Sequence, residues 1–290
     1  MLLRGPMGWT EFAPFVEYDD AEAAEWLRAT IEYGWDASLS PGADSVRVNA
    51  TVPAITGAEV AALLARFVGC RTAKVKVAAG SLDADVERVA AVRAVLGAEG
   101  RIRVDANGGW TIDEAERAIR QLAAFDLDYV EQPCATVAEL AELRARIADL
   151  GVAIAADESV RRAADPVAVA RAGAADLLVV KVAPIGGVRR VREVIAEAGL
   201  PVVVSSALES SIGLGMGALL ASTLDDQADA GLGTAELFAD DVAERGVHDG
   251  RISTARLHPN PTALDRLAAS PERTEWWLGR LRRCFELLQA

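Results

Sequence analysis

The middle of the chain alternates short apolar, β-branched runs with longer stretches rich in Ala, Leu, Arg and Glu. The runs predict strands, and the intervening stretches have the length and pattern of helices. Predicted strands cover 46–49, 73–77, 102–105, 129–131, 152–157, 177–181 and 202–205, with a weaker eighth near 231–237. Because the runs are apolar on both faces, we expect parallel strands covered by helices.

This rhythm predicts an α/β fold, and its eight units favour a (β/α)₈ barrel of the TIM type. A doubly wound open sheet is the alternative, but its first strand would normally lead into a Gly-rich phosphate turn. Residues 49–53, Asn-Ala-Thr-Val-Pro, form no such turn. We expect residues 44–237 to form the barrel, and residues 1–43 and 238–290 to pack together as a small α+β domain.

Composition narrows the classes of function. The net charge of −13 and the lack of a basic block argue against a nucleic-acid partner. No apolar run has the length of a membrane span, so no membrane association is expected. Cys70, Cys134 and Cys284 form no CxxC pair and are expected to be reduced thiols. The first residues lack the apolar stretch of a signal peptide, so a cytoplasmic protein is expected. Nothing indicates an obligatory protein partner.

Three acidic residues stand where predicted strands end: Asp105, Glu131 and Asp157. The carboxyl ends of barrel strands meet at one mouth, so we expect these side chains to converge. Any one of them alone could equally be a helix cap. Three carboxylates cannot all stay ionised side by side without a cation, so together they predict Mg²⁺ ligands, with Mn²⁺ as a possible substitute. Asn107 and Glu158 could hydrogen-bond to these ligands.

Lysine is rare here: of 30 cationic Lys and Arg residues, only Lys74, Lys76 and Lys181 are lysines. Lys74 and Lys76 share one face of a strand, and we expect them to lower each other's pKa until one acts as a general base. Lys181 would approach from the opposite side of the mouth. A metal ion flanked by amines suits removal of a proton α to a carboxylate, which predicts a small-molecule carboxylate substrate. A Schiff-base role for Lys181 is the alternative.

The ordered set of motifs at 74–76, 105–107, 131–133 and 157–159, together with Lys181, resembles the muconate-lactonising subgroup of the enolase superfamily. The resemblance implies a modified (β/α)₇β barrel with a capping domain built from both chain ends. It also implies a Mg²⁺-stabilised enediolate. Family members commonly begin with a further strand and a mobile loop. Residues 1–6 of this chain correspond by resemblance to the second strand of the family. The capping domain is therefore expected to lack its usual first strand and that loop.

Within the subgroup, segments 8–15, 45–53 and 205–211 resemble a branch that dehydrates a succinyl-bearing cyclohexadiene carboxylate on the route to menaquinone. That resemblance implies that Lys76 takes the α-proton and then assists loss of the hydroxyl from the same face. Lys181 would stay charged and stabilise the enediolate and the ring. Arg103 would line the site. Ser205 and Ser206 would bind the succinyl carboxylate, unless they only cap a turn.

Two other functions stay open. An N-acylamino acid racemase or dipeptide epimerase would use the same metal, with Lys76 and Lys181 exchanging protons on opposite faces. A binding barrel without catalysis is the third reading, although it gives no reason for all five ionisable strand-end residues to be present.

Overall fold

The computed structural model describes residues 1–161, 165–225 and 228–289. Eleven strands lie in this part of the chain. They are β1 (Leu2–Gly5), β2 (Gly8–Glu11), β3 (Ser45–Arg47), β4 (Ala50–Val52), β5 (Thr72–Lys76), β6 (Arg101–Asp105), β7 (Leu127–Glu131), β8 (Ala153–Ala156), β9 (Leu177–Lys181), β10 (Val202–Ser205) and β11 (Arg251–Ser253).

The helices of the described residues mostly follow the strands of the central sheet. They are α1 (Asp20–Trp35), α2 (Gly57–Leu64), α3 (Leu82–Leu96), α4 (Ile112–Leu122), α5 (Val137–Arg146), α6 (Glu158–Arg161), α7 (Ala168–Arg171), α8 (Val182–Ile185), α9 (Val188–Ala198), α10 (Leu214–Ala221), α11 (Pro261–Arg266) and α12 (Pro271–Gln289). None of those described could cross a membrane, since each is too short or too polar.

Strands β4 to β10 form one parallel sheet in which every strand pairs with its neighbours in chain order. Helices follow most of these strands, so each connection returns the chain to the start of the next strand. The predicted α/β barrel is confirmed. The β-branched runs of the sequence are the buried strands, because both faces of the sheet are covered.

Side chains alternate along each strand between the outer helices and the inside of the barrel. Four inward residues, Tyr129, Ala155, Val179 and Val203, form an apolar cluster of their own, separate from the core under the helices. Two residues further along each strand, the same face reaches the mouth of the barrel. The period of two thus delivers one residue per strand to a common layer, namely Glu131, Asp157, Lys181 and Ser205.

The first and last strands of the barrel differ from the prediction. Residues 45–47 pair antiparallel with β11, and the first strand of the parallel sheet is β4. In place of an eighth strand at 231–237, Ala230 and Gly231 make single parallel bridges to Val48 and Ser205, and Gly233–Leu237 is a 3₁₀ helix. The chain comes very close here, since a Cβ at Gly231 would lie 2.5 Å from Ser205 Oγ.

A buried carboxylate reinforces this narrow closure of the ring, which we call the seam (Val48, Ala230, Gly231 and Ser205). Asp229 accepts hydrogen bonds from Arg47 Nε at 2.8 Å and Thr72 Oγ1 at 2.6 Å. Charge-assisted bonds of this kind are stronger than neutral ones. They hold the last segment of the barrel against its first strands where few backbone bonds are available.

Both ends of the chain pack around α1. The hairpin β1–β2 contacts one side of α1, and α12 lies along another side. The ring of Phe12 meets that of Trp277 edge-on with centroids 5.9 Å apart. The buried guanidinium of Arg280 donates to the carbonyl oxygens of Phe15 and Tyr18.

Helix α1 also docks onto the barrel through its Glu32. The carboxylate of Glu32 accepts hydrogen bonds from the backbone N–H groups of Val188 and Arg189, the first residues of α9. Gly187 precedes them with φ +124°, and a Cβ there would lie 2.3 Å from Glu32 Oε2. Only glycine accepts both the backbone conformation and the close approach.

Candidate active site

Six predicted site residues lie at the carboxyl ends of consecutive strands. Backbone register pairs Lys76 with Asp105, Asp105 with Glu131, and Lys181 with Ser205. Asp157 follows directly after β8. The structure therefore brings the strand-end acids and the lysines to one mouth, although they are far apart in sequence.

Lys74 lies one layer deeper and links two of the acids. Its Nζ lies 2.9 and 3.1 Å from the carboxylate oxygens of Glu131 and 3.1 Å from Asp105 Oδ2. Both carboxylates are buried, and so is the lysine. The two acids thus contact the same ammonium group, which places their oxygens within about 6 Å of each other by the sum of these distances.

The other two lysines each approach a different acid. Lys76 Nζ lies 2.6 Å from Asp105 Oδ2 and 2.7 Å from Asn107 Oδ1. Lys181 Nζ lies 2.6 Å from Asp157 Oδ2. The side chain of Lys76 is 33% exposed, against 9% for that of Lys181. Lys76 is thus the amine that a molecule entering from solvent reaches most easily.

The pKa values of the three acids shift in different directions: that of Glu131 is raised, and those of Asp105 and Asp157 are lowered. Burial, together with the nearby charge of Asp105, raises the pKa of Glu131 to about 7. Burial also acts to raise the pKa of Asp105, but Lys74 and Lys76 outweigh it and the pKa is lowered. For Asp157, Lys181 and Arg161 likewise outweigh burial and lower the pKa.

The expectation that Lys74 and Lys76 lower each other's pKa is wrong for Lys74. Burial does act to lower the pKa of Lys74, but the charges of Glu131 and Asp105 raise it well above its ordinary value. The reason is distance, since both carboxylates touch the ammonium group directly. Lys74 is therefore suited to hold the acids in place rather than to take a proton.

The donor set fits a hard divalent cation, although the lysines stand between the acids. Within the residues described, no three His, Cys, Asp or Glu side chains converge as a ready-made metal cluster. The three acids are nonetheless fully buried, and Glu131 is destabilised by the adjacent negative charge. A further carboxylate oxygen, Glu158 Oε2, is buried without a hydrogen-bond partner. Several carboxylate oxygens close together, without His or Cys, are the type of donor set that Mg²⁺ and Mn²⁺ prefer.

The turns after three strands carry unusual backbone conformations. Ala78, Asn107 and Gln132 have φ values of 63°, 48° and 38°, a region that non-glycine residues seldom occupy. Gln132 offsets its cost with side-chain bonds. Its amide nitrogen donates to Ser159 Oγ at 2.8 Å, and its oxygen accepts from the N–H of Asp157 at 3.1 Å. Strain of this kind concentrates at functional sites.

Sequence reasoning gave Gln132 and Arg161 no role, yet both hold the acids. Arg161 Nε lies 3.0 Å from Asp157 Oδ1, and Arg161 Nη2 lies 2.6 Å from Glu158 Oε1. The spacing was a usable signal, since a residue three and four positions after two acids lies beside both on a helical turn. Nothing comparable in the sequence indicates which groups Gln132 contacts.

Of the two predicted hydrogen-bond partners of the acids, Asn107 contacts Asp105, and Glu158 contacts Asn107. The backbone N–H of Asn107 donates to Asp105 Oδ1 at 3.1 Å, and Asn107 Nδ2 lies 3.2 Å from Glu158 Oε1. Asn107 thus bridges the ends of β6 and β8.

Arg103 has a different position from the one predicted. Only 1% of it is exposed, because it lies in the layer below the mouth. It donates to Asp128 Oδ2 at 2.8 Å, Asn49 Oδ1 at 3.1 Å and the carbonyl of Asp229 at 2.6 Å. These bonds, and the ring of Tyr129 at 4.9 Å, occupy the guanidinium. Arg103 thus fixes the inside of the barrel near the seam, and its contact with substrate stays a prediction.

Ser205 and Ser206 lie at the mouth with weak or local partners. Ser205 Oγ is 3.5 Å from the carbonyl of Gly231, and Ser206 Oγ is 2.8 Å from Thr234 Oγ1. No helix-capping bond by either hydroxyl appears among the described contacts of this turn.

Comparisons with known proteins agree with this geometry. A family model described as enolase C-terminal domain-like matches residues 58–255, and one described as enolase N-terminal domain-like matches residues 1–34. The o-succinylbenzoate synthase of Mycobacterium tuberculosis (strain ATCC 25618 / H37Rv) is 50% identical over 292 residues, covering 99% of this chain and 88% of its own. The o-succinylbenzoate synthase of Mycobacterium ulcerans (strain Agy99) is 50% identical with the same coverage.

Solved structures share the fold at lower identity. The muconate cycloisomerase of Pseudomonas fluorescens is 27% identical, with a TM-score of 0.68 over 78% of this chain and 66% of its own. A substrate-liganded L-Ala-D/L-Glu epimerase from Bacillus subtilis is 26% identical, with a TM-score of 0.66 over 76% of this chain and 64% of its own. The fold thus hosts more than one reaction.

Proposed function

Since this chain belongs to the enolase superfamily, whose members use a divalent metal ion, we propose that it catalyses the o-succinylbenzoate synthase reaction. It would convert 2-succinyl-6-hydroxy-2,4-cyclohexadiene-1-carboxylate to 2-succinylbenzoate and water, a step of menaquinone biosynthesis. The observation that carries this proposal is the 50% identity to synthases of that name along 99% of the chain. The lysines on either side of the acid cluster supply the chemistry.

Lys76 is the proposed base. Its free amine takes the proton from the carbon next to the carboxylate, and the electron pair moves into an enediolate. The bond to the ring hydroxyl then breaks, and the proton held by Lys76 leaves with that hydroxyl as water. One amine serves both steps when the proton and the hydroxyl lie on the same face. The greater exposure of Lys76 supports its assignment as the base.

Lys181 is the proposed electrostatic partner. Its ammonium group is paired with Asp157 and stands across the mouth from Lys76. A fixed positive charge there stabilises the negative charge that develops on the substrate, and it would contact the ring as it becomes aromatic. Lys74, bonded to Glu131 and Asp105, would hold those carboxylates in position.

Asp105, Glu131 and Asp157 are the proposed ligands of Mg²⁺, or of Mn²⁺ in its place. When bound, the ion supplies a Lewis acid that binds the substrate carboxylate and offsets its growing charge. Asn107 would orient Asp105 through its backbone N–H, and Glu158 would hold Asn107 by accepting from its Nδ2. Ser205 and Ser206 are proposed to donate to the succinyl carboxylate, since both lie at the mouth, the bond of Ser205 Oγ to the carbonyl of Gly231 is long, and Ser206 Oγ bonds only a neighbouring hydroxyl in its described contacts.

The proposed division of labour follows the chain. Residues 44–237 carry the catalytic barrel, and residues 1–43 and 238–290 contribute to the cap. The proposed substrate is a free small molecule, as the name of the relatives implies. We place the reaction in the cytoplasm, where thiols such as those of Cys70, Cys134 and Cys284 stay reduced.

A turnover assay tests the function directly. The purified protein is mixed with the succinyl cyclohexadiene carboxylate, and formation of the aromatic product is followed by absorbance. We expect turnover that chelation abolishes and added Mg²⁺ restores. Lys76→Met should lower kcat by about 10²- to 10⁴-fold, the usual worth of a general base. Folded protein that shows no turnover with Mg²⁺ present would refute the proposal.

The main alternative activity is racemisation of N-acylamino acids, and the fold shared with an epimerase supports it as a second candidate. Lys181→Arg separates the two, because arginine keeps the positive charge but cannot act as a base. We expect this variant to retain measurable dehydration. If the protein instead exchanges the α-hydrogen of N-succinylamino acids for deuterium in D₂O, and Lys181→Arg abolishes both activities, the assignment of Lys181 as a purely electrostatic group is wrong.

A further inference from the structure

Arg161 lies where the acids of the barrel meet the cap. Its guanidinium donates in three directions, to Asp157 Oδ1 at 3.0 Å, Glu158 Oε1 at 2.6 Å and the hydroxyl of Tyr18 at 2.8 Å. The side chain is only 9% exposed. Arginine alone offers a planar fork with enough donors for three partners at fixed angles.

The contacts continue from Arg161 to the proposed base. Glu158 Oε1 accepts from Asn107 Nδ2 at 3.2 Å, and Asn107 Oδ1 accepts from Lys76 Nζ at 2.7 Å. A continuous hydrogen-bonded path therefore joins Tyr18 to Lys76. Its three intermediate side chains are Arg161, Glu158 and Asn107. The other carboxylate oxygen of Asp157 accepts from Lys181, so Arg161 also sets how Asp157 faces that lysine.

Tyr18 belongs to the segment that leads into α1, and its position depends on the cap. Its ring packs edge-on against Phe15 with centroids 5.4 Å apart, and its carbonyl accepts from Arg280 of α12. Asp19, the next residue, caps α1 by accepting from the N–H of Glu22 at 2.8 Å. The cap therefore positions the hydroxyl of Tyr18, whereas Asp157 and Glu158 belong to the barrel.

The junction of Tyr18 and Arg161 also borders a cleft. This cleft of about 860 Å³ lies between α1 and the turns after β8 and β9, and both side chains line it. A shift of the cap would open or close the cleft and displace Tyr18 relative to Arg161. The path can thus transmit the position of the cap to the acids.

We propose that Arg161 is a positioning residue which couples the seating of the cap, through Tyr18, to the geometry of Asp157 and Glu158. The consequence is that the affinity of the acid cluster for a divalent ion depends on a hydroxyl in the cap. This inference rests on the proposed function, because it takes Asp157 as a metal ligand. It assigns to Arg161 and Tyr18 no contact with the reacting atoms.

Mn²⁺ binding measured by calorimetry on the full chain tests the coupling without turnover. Arg161→Lys keeps the charge but cannot reach all three partners, and should weaken binding about tenfold, the low end of what loss of a ligand's supporting bond costs. Tyr18→Phe removes only the cap hydroxyl and should weaken binding measurably but less than Arg161→Lys does, since it acts one bond further from the ligand. In the double variant the tyrosine change should add nothing, because Arg161 already carries its effect.

Tyr33→Phe is the matched control, since it removes a tyrosine hydroxyl from α1, the cap helix that the segment of Tyr18 leads into. Tyr33 is buried near Gly215 and Arg245, away from the acids, so its loss should leave Mn²⁺ affinity as in the wild type. The coupling is overturned if Tyr18→Phe binds Mn²⁺ like the wild type, or if its effect is undiminished in the Arg161→Lys background. Failure of the wild type to bind Mn²⁺, or binding that survives Asp105→Asn, would overturn the proposed metal site itself and the coupling with it.

Discussion

Glu209 is a buried carboxyl group that the proposed chemistry does not use. It lies in the turn after β10, is 6% exposed and accepts a 2.7 Å hydrogen bond from the N–H of Ala207. Burial raises its pKa to about 7, and the charge of Glu11 adds to the shift. A carboxyl group that binds its proton more tightly in the folded protein than in the unfolded chain favours the fold at low pH.

Glu209→Gln should therefore stabilise the protein in a pH-dependent way. Below pH 4.5 the carboxyl group is protonated in both states and costs nothing. As the pH rises from 4.5 to about 7, the unfolded chain releases this proton and the folded protein does not, so wild-type stability falls. The gain of the variant should grow across this window to about 3 kcal/mol at most, from the shift between 4.5 and about 7.

Denaturant unfolding at pH 5 and pH 8 measures this gain. Glutamine keeps the oxygen that accepts from Ala207, so the backbone contact is preserved. Glu244→Gln, at an exposed position, controls for the change in net charge. An equal difference between Glu209→Gln and wild type at both pH values would contradict the prediction.

Residue-level prediction from the sequence succeeded where strand geometry decides and failed where neighbours decide. Asp105, Glu131 and Lys76 meet because strands alternate with period two, which the apolar runs reveal. The raised pKa of Lys74 depends on two carboxylates that approach from other strands. The commitment of Arg103 to Asp128 depends likewise on tertiary contacts that no local pattern encodes.

Among the elements, the helix N-termini likewise fall into those that a local sequence pattern predicts and those that depend on a distant residue. Helices α2, α4 and α5 begin with capping boxes, Thr56 with Glu59, Thr111 with Glu114 and Thr136 with Glu139, and these are legible in the sequence. Helix α9 has no capping side chain of its own and begins after Gly187. Glu32 caps it from α1, more than 150 residues earlier, which no local signal announces.

Glu32→Ala should destabilise both α9 and the seating of the cap. It leaves two helix N–H groups without their carboxylate, a loss of about 0.5–2 kcal/mol by analogy with other caps. Glu32→Gln should recover part of this, since it accepts hydrogen bonds but lacks the charge that favours a helix N-terminus. Thermal or denaturant unfolding of each variant measures the effect.

A control for this cap lies on α9, the helix that Glu32 caps. Glu193 is an exposed residue of α9 that pairs only with Arg190 in its described contacts, and Glu193→Ala should change stability by less than about 0.5 kcal/mol. If Glu32→Ala is no more destabilising than Glu193→Ala, the cap delivered by α1 has no energetic importance.

The whole molecule has an excess of negative charge, and it brings three acids and three lysines together at one mouth of the barrel. The chain carries a net charge of −13, and three of its acids are fully buried at one mouth. The sequence predicted the barrel and this convergence because both follow from a repeated strand-and-helix rhythm. It mistook the ends of the ring, where β3 leaves to pair with β11 and the eighth strand shrinks to bridges.

A divalent ion should therefore stabilise the entire fold. An ion that binds only the folded state at one hundred times its Kd contributes about 2.7 kcal/mol, which for a protein of this size raises Tm by several degrees. We expect Mg²⁺ to raise Tm and a chelator to reverse the rise, measured by scanning calorimetry. Asp105→Asn is the control and should lose most of the response. An equal rise in wild type and Asp105→Asn would assign the effect to ions elsewhere on the acidic surface.

The seam has a mechanical meaning for the proposed chemistry. Strands β4 to β10 are joined to one another by parallel ladders, whereas the returning segment at Ala230 and Gly231 joins Val48 on one side and Ser205 on the other by single bridges. The ring thus has one weakly bonded joint, at the seam beside Ser205. When the substrate binds, the backbone next to Ser205 and Ser206 can shift to accommodate it, while the acids across the mouth keep their spacing.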